Sequence, residues 1–429
     1  MIPRGDVLMA KVCVETYGCT LNQADSDIIM AILKERHSLV EDWKKSDVVV
    51  INSCTVKGAT ENRIFERMRT LRKEGKAFVI AGCLTANAAK IRKYAPAAPL
   101  VGTSSLRHIS DAVDDALAGR ATSYNANEAK DALPKLLTAP IMRIPINDGC
   151  TSQCHFCQTK LARPYLRSYT PKTILKWIGT AVENGAKEIQ LTSMDSGAYG
   201  LDIKTTLVSL LRLIAESDFG EKKFFVRVGM INPNHAKRML PELVEILQGP
   251  RFYRFLHIPV QTGSEKVCRE MNRDHSVKDF IDIVRAVRKA MPDATIATDI
   301  IVGYPTETRA DFAKTLELLE TVRPDITNVS KFSPRPGTKA MELSQLANGE
   351  VKRRSTVASE EVKKTSMERK KLYVGRACRV LVTERQRDFT GRDINYHQVV
   401  VKGFKGPLGA FVDVTVASAN HGSLFGKMA

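Results

Sequence analysis

Three cysteines in one short loop constrain this chain more than any other feature. They form the pattern C-x3-C-x2-C at Cys150, Cys154 and Cys157, directly after an apolar run, 141–146, that predicts a strand. Three thiolates on such a loop can hold three irons of a [4Fe–4S] cube and leave the fourth iron open to a small molecule. Zinc prefers four ligands in paired C-x2-C units, and no second pair lies nearby. A zinc knuckle, with His155 as a conceivable fourth ligand, or a redox C-x2-C motif is the alternative.

Size and composition narrow the class of protein. At 429 residues the chain is long enough for two or three domains, and its 43% hydrophobic and 26% charged residues are ordinary for a globular protein. No apolar run approaches the roughly 20 residues of a membrane span, and residues 1–12 lack a signal-peptide core, so we expect a cytoplasmic protein. Nine cysteines then favour metal ligation over disulfides. The net charge of +18 predicts a polyanionic partner, most simply nucleic acid, unless it only serves solubility.

Residues 11–120 alternate predicted strands and helices. Strands are expected at 11–16, 47–52, 77–81 and 100–101, and helices at 22–35, 57–73 and 106–117. We expect Asn22 to cap the first helix. This alternation predicts a small doubly wound parallel sheet within a domain of residues 1–120. The polar stretch 121–140 lacks periodicity and is predicted to be a linker.

A cysteine follows each of the first three predicted strands. Cys19, Cys54 and Cys83 stand in TYGCTLNQADSD, INSCTV and AGC. Loops that leave the carboxyl ends of parallel strands share one edge of a sheet, where ligands bind, so these three residues could converge in space. The alternative is three unrelated, half-buried small residues, which is common for cysteine. Cys13 lies inside the first strand and is expected to be core.

Strand–helix alternation resumes after the linker. Strands are expected at 142–147, 188–192, 224–229, 255–259, 295–302 and 326–331, and helices at 171–184, 205–216, 236–248, 277–290 and 310–322. Six such units are too few for a closed eight-fold barrel. Polar side chains stand at several strand ends, each of them weak as a signal on its own. They are Ser193, Asp195, Arg227, His257, Gln261, Ser264 and Asp299.

The C-terminal part begins with a basic segment and continues with segments in which polar and apolar residues alternate. Residues 351–379 hold ten Lys or Arg against three Asp or Glu, and a helix is expected over about 351–372. This helix could be an ordinary solvated one. From residue 374 onwards, alternating segments such as CRVLVTER and AFVDVTVAS predict β-strands. Cys268 and Cys378 have no cysteine partner in these patterns and are expected to be structural.

The cysteine loop, with aromatic Phe156 before its last cysteine, resembles that of the radical S-adenosylmethionine (SAM) enzymes. The resemblance implies an α/β fold with a central (β/α)6 partial TIM barrel, expected over residues 141–371. It also implies that the open iron of the cluster chelates SAM, with Phe156 as part of the site. Reductive cleavage of SAM would give a 5′-deoxyadenosyl radical.

The N-terminal stretches resemble the three cysteine motifs of the methylthiotransferases. By this resemblance Cys19, Cys54 and Cys83 hold a second [4Fe–4S] cluster, and the strand-end residues Ser193, Asp195, Arg227, His257, Gln261 and Asp299 line the SAM and substrate cavity. At Met194 the resemblance implies a polar Glu or Gln, and a thioether cannot bind the SAM amino group as a carboxylate would, so Asp195 is expected to take that role. Residues 372–429 resemble a TRAM domain, which implies a small β-barrel that binds RNA. Interdomain packing is the alternative for this small barrel.

Within that family, GCTSQCHFCQTKLAR is most similar to the archaeal and eukaryotic subgroup. This subgroup converts N6-threonylcarbamoyladenosine beside the anticodon of tRNA, at position 37, to its 2-methylthio form. The implied mechanism uses two SAM molecules, one to methylate a sulfur species at the N-terminal cluster and one to yield the radical that replaces an unactivated C–H at carbon 2. The implied partners are tRNA, an electron donor and a sulfur source, and we expect a monomer. The alternatives are action on another adenosine derivative, a radical RNA methylase, and a non-enzymatic RNA-binding protein with structural clusters.

Overall fold

The structure is a computed structural model that describes residues 9–137 and 139–428. Residues 1–8 of the segment expected to lack a signal-peptide core therefore lie outside the described residues, as does Thr138 of the predicted linker. The chain divides into two compact units. The first unit runs to Leu137 and includes Cys157–Tyr165, and the second unit holds the residues up to Phe156 and from Leu166 onwards.

The first unit is built on a six-stranded parallel sheet. Its strands are β1 (Lys11–Thr16), β2 (Ser38–Leu39), β3 (Val48–Ser53), β4 (Ala77–Gly82), β5 (Leu100–Val101) and β6 (Ser123–Tyr124). Its helices are α1 (Thr20–Lys34), α2 (Gly58–Lys73), α3 (Ala88–Tyr94), α4 (Ile109–Leu117) and α5 (Thr159–Ala162). The strand order is β2-β1-β3-β4-β5-β6.

Both faces of this sheet are covered, as a doubly wound fold requires. Alternate residues of β3 point to opposite faces: Val48 and Val50 join a core with α1 and α4, and Val49 and Ile51 join a core with α2. All six residues of β3 are buried, which explains its continuous apolar run. The predicted doubly wound parallel sheet is confirmed. The strand β6 lies in the segment predicted to be a linker and pairs with β5.

The second unit contains six parallel strands in two groups of three. The strands of its central part are β7 (Ile141–Pro145), β8 (Asn147–Asp148), β9 (Arg167–Ser168), β10 (Glu188–Thr192), β11 (Phe225–Arg227), β12 (Phe255–His257), β13 (Thr295–Val302) and β14 (Ile326–Lys331). Its helices are α6 (Pro171–Glu183), α7 (Leu207–Glu216), α8 (Pro233–Arg238), α9 (Leu240–Gln248), α10 (Glu265–Glu270), α11 (Val277–Ala290), α12 (Arg309–Val322) and α13 (Asn348–Lys371).

These strands form an open parallel wall. One sheet has the order β11-β10-β7 and the other the order β12-β13-β14, and an isolated parallel bridge between Val226 and Phe252 joins the two. Along β10, Ile189 and Leu191 are fully buried toward the helices, whereas Gln190 faces the other side. The predicted partial barrel of six βα units is therefore confirmed, and its polar inner face is available for a site.

The chain ends in a closed five-stranded barrel. Its strands are β15 (Ala377–Arg385), β16 (Phe389–Arg392), β17 (Gln398–Lys402), β18 (Phe411–Ala419) and β19 (Leu424–Met428). They close in the order β15-β16-β17-β19-β18 around a valine-rich core. The predicted small barrel is confirmed. Of the helices in the described part of the chain, none is both long and apolar enough to cross a bilayer.

Candidate functional site

The three N-terminal cysteines lie at the carboxyl edge of the first sheet. Cys19 is the N-cap of α1, Cys54 directly follows β3, and Cys83 directly follows β4. The thiols of Cys19 and Cys83 both lie 3.7 Å from the same acceptor, Asn22 Oδ1. These two sulfur atoms therefore converge, although their residues are far apart in sequence. The prediction that Asn22 is the N-cap of α1 is wrong, because the helix begins two residues earlier, at Thr20. The Asn22 amide instead donates to Ser53 O at 2.7 Å.

Two glycines make room for a group beside these cysteines. A Cβ added at Gly18 (φ +141°) would lie 2.9 Å from the Cβ of Cys54, and one at Gly82 (φ +88°) would lie 2.4 Å from Asn52 Oδ1. Only glycine fits such backbone positions without strain. The Val56 N–H donates to Cys54 Sγ at 3.4 Å, and Cys19 stands at the N-terminus of α1.

The C-x3-C-x2-C loop is divided between the two units. Cys150 and Cys154 belong to the second unit, whereas Cys157 opens the segment that packs in the first. In that segment Gln158 accepts a hydrogen bond from Thr55, and Ala162 O accepts one from Thr103 Oγ1 at 2.8 Å. The residues that follow Cys157 are thus anchored beside Cys54.

A buried ion pair anchors the same segment. Arg163 pairs with Asp25, which also pairs with Lys130 at 2.8 Å, and all three side chains are almost fully buried. Burial raises the pKa of the Cys83 thiol, and the Arg163 guanidinium opposes that rise. Sequence patterns did not single out Arg163 or Asp25, because nothing in the sequence indicates a pair separated by 138 residues.

In the second unit, the cysteine loop is held by α10 and the turn that follows. The backbone N–H of His155 donates to Met271 O at 3.0 Å, and His155 Nδ1 lies 2.9 Å from Glu270 O. Asn272 Nδ2 donates to Gln153 O at 2.8 Å. Phe156 was expected to be part of the SAM site. Its ring packs against the apolar cluster that contains Met271 and Tyr304.

Arg273 is a residue of this site that sequence patterns missed. Its Nη1 donates to Cys154 Sγ at 3.1 Å, and its Nη2 donates to Asn232 Oδ1 at 2.6 Å. Asn232 in turn donates from Nδ2 to Asp195 Oδ2 at 2.6 Å. A continuous chain of polar contacts therefore links a cluster-loop cysteine to Asp195, which is fully buried and also accepts from Gly197 N at 3.0 Å.

The other predicted strand-end residues fall on or near the inner face of the open barrel. Ser193 contacts Ser196 Oγ at 3.0 Å. His257 Nε2 lies 2.9 Å from Asp299 Oδ2, and Asn328 Nδ2 donates to Asp299 Oδ1 at 2.8 Å. These contacts bring His257 and Asp299 together, although 42 residues separate them.

Arg227 and Gln261 have distinct settings. Arg227 lies in register with Gln190, and Gln190 with Arg143, so three polar residues stand side by side on adjacent strands. Gln261 has a φ of +70°, which is uncommon for a residue with a Cβ. Such conformations cluster at functional sites. Met194 is half-buried just before Asp195.

The donor sets suit iron–sulfur clusters. Sulfur ligands favour iron–sulfur or zinc centres, and across the described residues no three His, Cys, Asp or Glu side chains are arranged around a single metal ion. A four-iron cube is wider than one ion, so its ligands need not approach each other as closely. The space left by Gly18 and Gly82, and the N–H···S contact at Cys54, fit such a group.

The remaining cysteines, expected to be core or structural, lie in buried or half-buried settings. Cys13 and Cys268 are buried, and Cys378 is half-buried. Burial raises the pKa of the Cys13 thiol, that of Cys268 to about 11 and that of Cys378 to about 12. These thiols therefore stay protonated near neutral pH.

Comparison with protein families matches nearly the whole chain in three parts. The Radical SAM superfamily matches residues 144–319, the uncharacterized protein family UPF0004 matches residues 11–102, and the TRAM domain matches residues 371–429. The central barrel and its cysteine loop therefore define a radical SAM enzyme.

Curated relatives narrow the family further. A protein of Archaeoglobus fulgidus called "Probable threonylcarbamoyladenosine tRNA methylthiotransferase" is 41% identical over 98% of this chain and 99% of its own. The "Threonylcarbamoyladenosine tRNA methylthiotransferase" of Drosophila melanogaster is 34% identical over 97% of this chain and 77% of its own. The chain belongs to the threonylcarbamoyladenosine tRNA methylthiotransferase family. It is a tRNA-modifying enzyme, and its cofactors are SAM and two [4Fe–4S] clusters.

Solved structures support the fold. The radical SAM methyltransferase TsrM from Kitasatospora setae, solved with tryptophan substrate and a SAM analog, has a TM-score of 0.55 at 12% identity, over 77% of this chain and 75% of its own. The cobalamin-dependent SAM radical enzyme OxsB has a TM-score of 0.51 at 12% identity, over 83% of this chain and 56% of its own. At this identity the similarity shows a shared fold.

Proposed function

We propose that this enzyme inserts a methylthio group at carbon 2 of N6-threonylcarbamoyladenosine at position 37, beside the anticodon of tRNA. The observation that carries this proposal is the presence of two separate three-cysteine sets, one on the first sheet and one on the loop after β7 and β8. A radical methylase would need only the second set. Two sets match a reaction that needs both a radical and a held sulfur.

The first set is proposed to hold the sulfur-bearing cluster through Cys19, Cys54 and Cys83. Cys54 and Cys83 are buried, whereas Cys19 is exposed. This arrangement leaves one side of the site accessible, as an open iron would require. The Val56 N–H donates to the sulfur of Cys54, and the Arg163 guanidinium opposes the rise in pKa that burial causes at the Cys83 thiol.

The second set is proposed to hold the radical cluster through Cys150, Cys154 and Cys157. When bound and reduced, a [4Fe–4S] cluster with an open iron supplies the electron that cleaves SAM to a 5′-deoxyadenosyl radical. The Arg273 guanidinium donates a hydrogen bond to the sulfur of Cys154 and so places a positive charge beside this ligand. Asp195 then acts through Asn232 to orient Arg273, because its carboxylate already accepts bonds from Asn232 and Gly197.

The inner face of the barrel is proposed to bind SAM and the target nucleoside. Ser193, Arg227, His257, Gln261 and Asp299 offer hydrogen-bond donors and acceptors there. The His257–Asp299 contact fixes the orientation of the imidazole, since Asn328 holds the other carboxylate oxygen. The assignment of these residues to SAM and to the nucleoside is a prediction.

The remaining parts of the proposal concern organisation and partners. The proposed domains are the N-terminal cluster domain at 1–120, the partial barrel at 141–371 and the TRAM-like domain at 372–429. A linker at 121–140 joins the first two. The enzyme is proposed to be a monomer in the cytoplasm. Its partners besides tRNA are an electron donor, which reduces the radical cluster, and a source of the inserted sulfur. The C-terminal barrel and the exposed cations near it are proposed to hold the RNA by its phosphates.

The discriminating experiment compares two substrates. Anaerobically reconstituted protein is incubated with SAM, a reductant and inorganic sulfide, together with tRNA carrying either N6-threonylcarbamoyladenosine or isopentenyladenosine. Mass spectrometry of the digested nucleosides should show the methylthio product only in the first tRNA. A methylthio product only on isopentenyladenosine would reassign the substrate, and a methyl product without sulfur would indicate a radical methylase.

A further inference from the structure

A tyrosine of the C-terminal barrel is inserted into the central barrel. Tyr396 lies in the loop 393–397 between β16 and β17, is only 9% exposed and has a φ of +67°. Its hydroxyl donates to Glu188 Oε1 at 3.2 Å. Glu188 is the first residue of β10, so the tyrosine enters at the amino ends of the central strands.

The inserted ring completes an aromatic floor at that end. Tyr253, Phe255 and Tyr396 form one buried cluster with Ala297, and Phe225 packs against it. The rings of Tyr253 and Tyr396 are 4.7 Å apart, and those of Phe255 and Tyr396 are 4.6 Å apart. An open six-stranded barrel leaves this end uncovered, and these rings cover it.

The floor contacts a residue proposed to line the SAM and substrate cavity. The guanidinium of Arg227 lies 5.0 Å from the centre of the Phe255 ring and 5.9 Å from that of the Tyr396 ring. Both distances are within the range of a cation–π contact. Glu188 also accepts from Gln190 Nε2 at 2.6 Å, and Gln190 is in register with Arg227. The tyrosine therefore touches both Arg227 and the carboxylate that orients its neighbour.

The loop that carries the tyrosine is rigidly built. His397 N donates to Asp393 Oδ1 at 2.8 Å, and His397 Nδ1 lies 2.8 Å from Asp393 Oδ2. The backbone N–H of Arg254 donates to Ile394 O at 2.9 Å, which joins the loop to the central barrel. The contacts on both sides hold the ring of Tyr396 in place.

We propose that Tyr396 is a positioning residue for the radical reaction, through which the C-terminal barrel closes the floor of the reaction cavity and orients Arg227. A carbon radical must be kept from solvent and from stray hydrogen donors, and a cation held against two adjoining rings has fewer orientations than a free one. This inference rests on the proposed role of Arg227. It assigns the C-terminal barrel a part in catalysis that is independent of its contact with RNA.

The test compares Tyr396→Ala with Tyr396→Phe in the full-length reconstituted enzyme. In Tyr396→Ala the KM for SAM should rise about tenfold, the value expected if a cation–π contact of this kind is lost. The amount of 5′-deoxyadenosine released per methylthiolated nucleoside should also rise. Tyr396→Phe keeps the ring and should restore both quantities to nearly the wild-type values. The affinity for tRNA should stay unchanged, because the side chain is buried.

Two further variants make the outcome decisive. Phe404→Ala removes an aromatic ring within the C-terminal barrel, where it packs 5.1 Å from Phe389. If it causes the same uncoupling, the effect of Tyr396→Ala is general damage to the barrel and the inference is wrong. Unchanged KM and product ratio in Tyr396→Ala would also overturn it. If Arg227→Ala leaves SAM cleavage and methylthiolation intact, the proposed cavity itself is wrong.

Discussion

Arg273 donates a hydrogen bond from Nη1 to the sulfur of Cys154, across 119 residues of sequence. The same guanidinium is fixed by Asn232 Oδ1 and by Pro259 O at 3.2 Å. A cation in this position stabilises a thiolate and makes a bound cluster easier to reduce, because reduction adds negative charge beside it. The two residues thus join the cluster loop to the strand ends of the barrel.

Arg273→Ala should therefore impair the radical cluster without removing a ligand. We expect a lower reduction potential and a loss of about tenfold in reductive SAM cleavage, since a charge-assisted hydrogen bond contributes about 1.5–3 kcal/mol. Potentiometry followed by electron paramagnetic resonance measures the first quantity. Arg269→Ala, which removes an exposed cation from nearby α10, is the control. Equal potentials in both variants would show that Arg273 does not act on the cluster.

The cysteine assignment makes a prediction about metal content. Fully reconstituted protein should contain about eight irons and eight sulfides per chain, and Cys83→Ala should reduce both to about four. Cys13→Ala should keep the wild-type content, because Cys13 is buried within β1 and donates to Glu41 O at 3.4 Å. A wild-type value near four would remove the N-terminal cluster from the account.

The basic surface predicts where tRNA is held. Of the cations of α13, Arg354, Arg369 and Lys370 point inward and contact Glu307 or Asp325, so they are not available to RNA. A pocket beside the C-terminal barrel is instead lined by Lys222, Lys223, Arg251 and Arg379.

Lys223→Ala combined with Arg379→Ala should weaken tRNA binding. The slope of log affinity against log salt should become shallower by about two, since each phosphate contact contributes about one. Binding assays over a range of salt concentrations measure this slope. Lys73→Ala, an exposed lysine of the first unit, should leave it unchanged. An unaltered slope in the double variant would place the RNA elsewhere.

The docking of α13 predicts a stability difference between neighbouring arginines. Arg354 is buried and donates to Glu307 Oε2 at 2.6 Å, to Glu307 O at 2.7 Å and to Glu350, whereas Arg353 is exposed and donates to Glu350. Arg354→Ala should lower the free energy of unfolding by about 3–5 kcal/mol, because it leaves the Glu307 carboxylate buried without its cation. Arg353→Ala should leave the free energy of unfolding nearly unchanged, because solvent screens an exposed ion pair. Thermal denaturation of the two variants, with equal cluster content, distinguishes them.

Sequence patterns predicted most of the sheet and barrel because the central strands are apolar and bounded by turns. The strand at 295–302 and the helix at 277–290 match the structure to the residue. The two-residue strands β2 and β6 were missed, because each pairs one serine with one larger side chain, whereas the equally short β5 was predicted from two apolar residues. The predicted helix 236–248 is two helices, α8 and α9, which meet at Met239 just before Pro241.

The site was predictable only in part. Cysteine spacing predicted the set in the loop after β8, whereas the resemblance to the methylthiotransferases implied the set of Cys19, Cys54 and Cys83. Both sets of ligands stay predictions. Arg273, Asn232 and Arg163 contact partners far away in sequence, and no local period marks such residues. The Asn22 cap was wrong for a related reason, since the Asn22 side chain makes a long-range bond to Ser53 O rather than a local one.

The central claim is that two cysteine sets perform two different tasks. Cys157→Ala should abolish both 5′-deoxyadenosine formation and methylthiolation, because too few ligands remain for the radical cluster. Cys54→Ala should retain reductive SAM cleavage, since Cys150, Cys154 and Cys157 are intact, but should lose methylthiolation because no site remains to hold the sulfur.

The measurement that tests this claim most directly follows both products in both variants. Chromatography determines 5′-deoxyadenosine, and mass spectrometry determines the methylthiolated nucleoside, on the same reaction samples. The account predicts that Cys54→Ala makes 5′-deoxyadenosine without the modified nucleoside, and that Cys157→Ala makes neither. Methylthiolated tRNA at the wild-type rate from Cys54→Ala would contradict the account, because the N-terminal cysteines would then be structural.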